Sequence, residues 1–247
     1  MSQARIYKTR AIVLRARNLG EADKIYTLLT LERGKLDAVA KGVRRAKSHV
    51  AGRLEFAAQA YLTMHRGRHL DVITSAEIVT SRWNVTPPAA FATAHLLVEL
   101  VDAFCEPDLA LPDIYALLDG ALGALAACDE PSIVVPRFEL RLLDALGFAP
   151  ESEGCVHCAR SLNGEPAWAD LEAGGLACER CRARGADAWP LVREDVENFQ
   201  ALGAVAGGGR RPVMRATPGA ARAVDAFVTY HLGKRPKAGK ILDELAR

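Results

Sequence analysis

The hydrophobic period of this chain changes once, at "WNVTPP" (residues 83–88), and nothing else in the sequence restricts the fold as much. Before that point the apolar residues come in short runs bearing β-branched or aromatic side chains: "KTRAIVLRARN", "DKIYTLLTL", "KLDAVAKG", "FAAQAYLTMH" and "HLDVITSAEIV". That is the pattern of β-strands. Gly20, Glu32-Arg33-Gly34 and Arg66-Gly67-Arg68 supply turn residues between runs, the last two at hairpin length. The segment "VRRAKSHVAGRLE", between the third and fourth runs, is too long for a hairpin and has room for a short helix. Three strands, an insert and two more strands match a five-stranded barrel of the OB type, although periodicity alone leaves open an unclosed sheet.

After the change the period is helical. Thr86 as N-cap and Pro87 at the first helical position start a run in which Phe91, Ala94, Leu97, Val98, Val101 and Phe104 share one face. "PDIYALLDGALGALAAC" and "FELRLLDAL" give two more helices, the second closed by Gly147. "EDVENFQALGAV", "PGAARAVDAFVTYHL" and "KILDELAR" give three near the C-terminus, with "AGGGRRP" as a loop. The expected class is multidomain α+β: an OB-fold domain over 1–80, a helical domain over 81–150 and 190–247, and a module over 151–189 inserted into it.

The inserted module carries Cys155-x2-Cys158, nineteen residues, then Cys178-x2-Cys181. The start "MSQARIYKTR" puts charge where a secretion signal needs an apolar stretch, so the expected address is the cytoplasm. "AHLLVELVDAF", broken by Glu99 and Asp102, falls short of the roughly 20 apolar residues that span a bilayer. In a reducing compartment paired knuckles read as a metal site rather than as disulfides. Four thiolates complete a tetrahedral shell, which suits structural zinc first and iron second and leaves no open position for catalysis. His157, inside the first knuckle, is then an exposed tip residue, and Cys105 and Cys128 are core packing.

Net charge is only +2, but it is unevenly distributed. Residues 1–80 carry fifteen Lys/Arg against seven Asp/Glu, and residues 83–150 carry two against ten. Such asymmetry suits a polyanion-facing domain beside an acidic one. Enzymatic signatures fail one by one. No histidine begins H-x-E or H-E-x-x-H, there is no G-x-S-x-G, and "GKRPKAGK" has five residues between its glycines and an isoleucine after its second flanking lysine. The chain is expected not to be an enzyme.

Three stretches, in order, resemble the bacterial DNA repair and recombination mediator family RecO. "AIVLRARNLGEADKIYTLLTLERGKLDAVAKGVRRAKS" is similar to the family's opening, with its E-A-D turn and A-K/R-G-x-R-R-x-x-S ending. "FELRLLDALGFAPESEGCVHC" resembles its passage from helix to zinc knuckle, and "YHLGKRPKAGKILDEL" its C-terminal helix pair. Two departures are local: Ala238 where serine is frequent, and Ala159 where glycine commonly follows the second cysteine. The resemblance implies a non-enzymatic protein that binds single- and double-stranded DNA and anneals complementary strands. It also implies contacts with single-strand binding protein and, with RecR, help in loading recombinase at gaps, in the cytoplasm and at the nucleoid. A zinc-ribbon or OB-type RNA-binding or translation factor is the alternative.

On this reading Lys35, Lys41, Arg44, Arg45 and Lys47 form the centre of the DNA surface, with Arg10, Arg15, Arg17 and Arg53 on its flanks. Lys41 ends a strand and the next three lie in the insert beyond it, so the cluster is expected on the rim of a groove rather than its floor. Phosphate contacts should outweigh base stacking, because exposed aromatics are few.

Overall fold

The computed structural model describes residues 5–45, 48–81, 88–127, 131–182, 189–203 and 215–245. By contact it separates into two compact units, Met1–Asp129 with Ile241–Arg247, and Glu130–Lys240. The first unit therefore joins the strands to the first two helices, whereas the sequence drew a boundary at residue 80.

Five strands build the first unit: β1 (Ile6–Leu19), β2 (Asp23–Thr30), β3 (Gly34–Ala40), β4 (Gln59–His65) and β5 (Asp71–Thr80). Their order is β1-β2-β3-β5-β4, and β4 pairs back onto β1, so the sheet closes into a barrel. Strand β1 serves both neighbours, pairing with β4 over Ile6–Ile12 and with β2 over Ala11–Leu19, and a register shift between Val13 and Arg15 marks the change. A bulge of this kind bends the strand, as a small barrel requires. The one parallel contact, Ala38–Val39 against Asp71–Val72, joins β3 to β5. Alternation sends Val13, Tyr26, Leu28, Leu36, Leu62, Met64 and Ile73 inward. Among its described residues the insert before β4, where the sequence had room for a short helix, contains one 3-10 turn, Ala51–Arg53.

The first half of β3 lies clear of its β5 partners. There Lys35 bridges Pro107, and Asp108 N–H donates to the Lys35 carbonyl at 2.8 Å. Gly34 makes this approach feasible: its φ is +70°, and a Cβ would stand 1.8 Å from the Leu109 carbonyl oxygen. Helices α1 (Pro88–Phe104) and α2 (Pro112–Ala127) complete the unit. The expected cap Thr86 lies outside the described residues.

The second unit holds α3 (Val134–Ala145), α4 (Arg193–Gly203) and α5 (Pro218–Leu232), which pack on one another around Phe138, Leu142, Phe199 and Phe227. Thr217 caps α5, accepting from Ala220 N–H at 3.3 Å, with Pro218 just inside. Helix α6 (Lys237–Leu245) begins in this unit. Between α3 and α4 lies a three-stranded sheet ordered β7-β6-β8, from β6 (Ala167–Asp170), β7 (Gly175–Cys178) and β8 (Trp189–Leu191). Among the described residues no helix is long and apolar enough to cross a membrane. Cys128 and the loop "AGGGRRP" lie outside the described residues; Cys105 is buried, and burial pushes its thiol up to about 11.

Candidate metal centre and nucleic-acid surface

The two cysteine knuckles are shaped by backbone hydrogen bonds. Cys155 N–H donates to the Arg160 carbonyl and Ala159 N–H to the Cys155 carbonyl, both at 2.8 Å, folding residues 155–160 into a tight loop. Ala159 sits in that loop with φ +58°, a left-handed conformation natural to the glycine that the family resemblance expects there. Cys178 ends β7, and Cys181 N–H donates to the Cys178 carbonyl at 2.9 Å, forming the second knuckle. Gly175 lets the knuckles meet: a Cβ there would lie 2.4 Å from the Glu151 carbonyl oxygen and 2.6 Å from Val156.

The result is one cluster. The sulfurs of Cys155, Cys158, Cys178 and Cys181 all lie within 4.8 Å of one another, and Cys158 and Cys178 are 3.8 Å apart. A tetrahedral zinc with sulfurs at about 2.3 Å has edges of about 3.8 Å, so the four residues fit that ion. Three of the four cysteines are buried, with Cys158 exposed. Burial pushes the Cys155 thiol up, but backbone N–H groups of Cys178, His157 and Cys158 outweigh it and draw it down to about 6. Cys178 N–H reaches the Cys155 sulfur at 3.3 Å. Burial, with hydrogen bonding among the sulfurs, pushes Cys181 up to about 12. Four thiols crowded this closely favour replacement of their protons by one cation.

His157 differs from expectation. It is not an exposed tip: its side chain is 19% exposed and its Nε2 lies 2.9 Å from Oδ2 of Asp170, which is almost fully buried. The other Asp170 oxygen accepts from Ala173 N–H at 3.0 Å, so the carboxylate braces the knuckle against the β6–β7 turn. Nearby, Arg182 lies over the Trp168 ring at 5.2 Å and pairs with Glu179 at 3.2 Å.

Two groups of basic residues in the first unit differ in their partners. Those on the β1–β3 face are paired: Arg15 with Asp102 at 3.1 Å, Arg17 with Asp37 at 3.4 Å, and Arg33 with Asp71 at 2.9 Å. Lys35 is the most enclosed, its side chain only 15% exposed. Its Nζ donates to the Asp102 carbonyl at 2.5 Å and lies 3.4 Å from the Asp102 carboxylate. A cation at a helix C-terminus satisfies free carbonyls and complements the helix dipole, and α1 ends two residues later. A groove of about 440 Å³ beside β3 is lined by Arg15, Arg33 and Lys35 but equally by Asp37, Asp71 and Asp108. It offers a polyanion no net charge.

The second kind lies just past β3. Lys41, Arg44 and Arg45 are exposed in a turn tied to the start of β2 and the residue before it by hydrogen bonds. Gly42, with φ +65°, donates its N–H to Asp23 Oδ1 at 2.7 Å, and Arg44 N–H donates to the Ala22 carbonyl at 2.9 Å. Val43 is buried in the barrel core, so its neighbours face outward. Arg44 Nη1 also donates to the Gly20 carbonyl at 3.1 Å, which joins this turn to the one between β1 and β2. Among the described residues no carboxylate lies within ion-pair distance of Lys41, Arg44 or Arg45. Lys47 lies outside the described residues. Arg10 donates to the Tyr61 hydroxyl and stands over its ring at 4.9 Å, and Arg53 donates to the Ala76 carbonyl at 2.9 Å.

Sequence reasoning missed the acids that sort these cations. Asp23 lies in the "EAD" turn quoted above, so its motif was visible and its role as the anchor of Gly42 was not. Asp102 carried no signal, because its partners Arg15 and Lys35 are far from it in sequence.

The model for the N-terminal part of recombination protein O matches residues 1–82, and the model for its C-terminal part matches residues 87–240. The chain belongs to the RecO family. A DNA repair protein RecO from a Nocardioides species is 35% identical over 246 residues, covering 94% of this chain and 97% of that protein. One from Bifidobacterium longum is 38% identical over 178 residues, 70% of this chain and 73% of its own length. One from Dehalococcoides mccartyi is 32% identical over 183 residues, 74% and 72% respectively. This chain combines a five-stranded N-terminal sheet, a helical body and a four-cysteine cluster able to hold a metal ion.

Proposed function

We propose that this RecO chain is a DNA repair and recombination mediator that performs no chemistry of its own. It binds single- and double-stranded DNA through the barrel, read as an OB-fold DNA-binding domain over 1–80, and anneals complementary strands. With RecR it helps load recombinase on gaps coated by single-strand binding protein, in the cytoplasm and at the nucleoid. One structural zinc held by Cys155, Cys158, Cys178 and Cys181 would fix the module over 151–189, inserted in a helical domain of 81–150 and 190–247.

The observation that carries this reading is the contrast between paired and unpaired cations. Lys41, Arg44 and Arg45 stand exposed on an anchored turn without carboxylate partners among the described residues, while Arg15, Arg17, Arg33 and Lys35 each lie within 3.4 Å of a carboxylate, Arg15 and Lys35 sharing Asp102. Cations free of carboxylate partners are the ones best placed to displace counterions from a phosphate backbone. Lys47 stays in the proposed surface. Lys35 takes a supporting role, holding β3 to the end of α1. Phosphate-led binding leaves base edges open, as annealing requires.

Filter binding with matched DNA and RNA strands tests the assignment. The expected result is DNA binding that weakens steeply with salt and is lost progressively as Lys41, Arg44 and Arg45 are replaced by alanine. Retention by RNA alone would favour the translation-factor reading.

A further inference from the structure

The second unit buries its phenylalanines except one, and that one stands with two other rings at the surface. Phe138, Phe199 and Phe227 are at most 2% exposed, whereas Phe148 is 46% and Tyr230 48% exposed. The exposed pair meets through His231: Phe148 and His231 stack with centroids 4.6 Å apart and planes 22° apart, and Tyr230 stands edge-on to His231 at 5.5 Å. Two helix ends bring the rings together. After α3, Gly147 turns the chain with φ +81° and Phe148 N–H donates back to the Leu143 carbonyl at 2.7 Å. After α5, Gly233 caps with φ +67° and donates to the Tyr230 carbonyl at 3.2 Å. The chain then runs through "GKRPKAGK", the glycine- and lysine-rich stretch that fails as a nucleotide-binding loop and that the zinc and barrel sites leave without a role.

Lys234, Lys237 and Lys240 of that stretch are all exposed. Lys234 follows Gly233 at the end of α5, and Lys237 and Lys240 belong to the first turns of α6, so the chain after the rings is rich in positive charge. Burial lowers the His231 pKa, so its ring stacks as a neutral aromatic at physiological pH. An exposed aromatic array not needed for the core marks a binding surface, and the exposed lysines that follow it in the chain favour one chemistry: planar rings joined by an anionic backbone.

We infer that Phe148, Tyr230 and His231, with Lys234 and Lys240, form a second single-stranded nucleic-acid site, which stacks bases where the barrel turn contacts phosphates. The inference rests on the DNA-binding function proposed above and extends it: two separate strand sites on one chain would let it carry a strand while capturing its complement.

The test uses the full chain loaded with zinc and oligo-dT strands bearing a donor or an acceptor dye, which cannot pair with each other. Two strands on one protein give energy transfer at stoichiometric protein. Phe148→Ala with Tyr230→Ala is expected to abolish the transfer and weaken one of two binding classes at least about fivefold per ring. Lys234→Ala with Lys240→Ala, which leaves the rings in place, is expected to flatten the salt dependence of that class by about 1.4. Tyr230→Phe should behave as the parent. Arg44→Ala with Arg45→Ala should weaken the other class alone, so failure of the barrel assignment reads out separately. Transfer that persists in both the ring and the lysine variants overturns the inference. So does unchanged oligo-dT binding by the ring variant with loss of an acidic, aromatic-ended peptide, which would make the surface a peptide site.

Discussion

Replacing Arg44 and Arg45 together by alanine should change how DNA binding responds to salt, whereas replacing Lys35 should not. Each phosphate contact by a single strand contributes about 0.7 to the slope of log affinity against log salt, so two lost contacts flatten it by about 1.4. Over the fourfold range from about 50 to 200 mM salt, the gap between parent and variant should narrow about sevenfold. Lys35 differs because its ammonium is already held by the Asp102 carbonyl and carboxylate. Lys35→Ala should leave the slope within a few tenths of the parent and instead cost about 1–2 kcal/mol of stability, through a charged hydrogen bond lost from a mostly enclosed site. Fluorescence anisotropy with a labelled single strand gives the slopes, and urea unfolding gives the stabilities. The reasoning is refuted if Lys35→Ala flattens the slope as much as Arg44→Ala, or if the double variant leaves it unchanged.

Three further outcomes follow from buried or strained positions. Cys178→Ala should lower zinc content by elemental analysis and lower the melting temperature, because it removes a buried member of a closed four-sulfur shell. Ala159→Gly should stabilise the zinc-loaded protein by about 0.5–1 kcal/mol in denaturant titration, the left-handed penalty of about 1–2 kcal/mol less glycine's extra chain entropy. Glu139, on α3, is almost fully buried, and burial with the nearby Asp225 raises its pKa well above the glutamate range, against an opposing pull from Arg235. A raised acid keeps its proton in the fold while the unfolded chain releases it near pH 4.3, so stability falls as pH rises from there towards the folded pKa. Glu139→Gln should therefore be more stable than the parent at neutral pH and lose that advantage below about pH 4.

Periodicity carried the fold a long way, because burial on one face writes itself into local sequence. All five N-terminal runs became strands, and the six helices expected after them formed near their expected positions. The insert between β3 and β4 shows the limit: its length had room for a helix, but its described part is mostly turn, with Val43, Leu54 and Ala57 each tucked in singly. The cysteine module's strands, three or four residues each, are too short to show a period. Spacing alone brought the four cysteines together correctly, since two-residue gaps leave a knuckle few alternatives. Charge was the least legible. A lysine on a strand reads the same whether solvent or Asp102 surrounds it, so Lys35 and Arg44 looked equivalent until the fold supplied their neighbours.

On the function proposed above, the unpaired cations of the turn at Lys41–Arg45 are what drive strand annealing. Annealing of complementary strands coated with single-strand binding protein, followed by dye quenching, tests it most directly when the parent is compared with Arg44→Ala plus Arg45→Ala at matched thermal stability. The parent is expected to anneal the coated strands, and the variant to be markedly slower while still captured by RecR and by single-strand binding protein. Annealing by the variant at the parent's rate would contradict it.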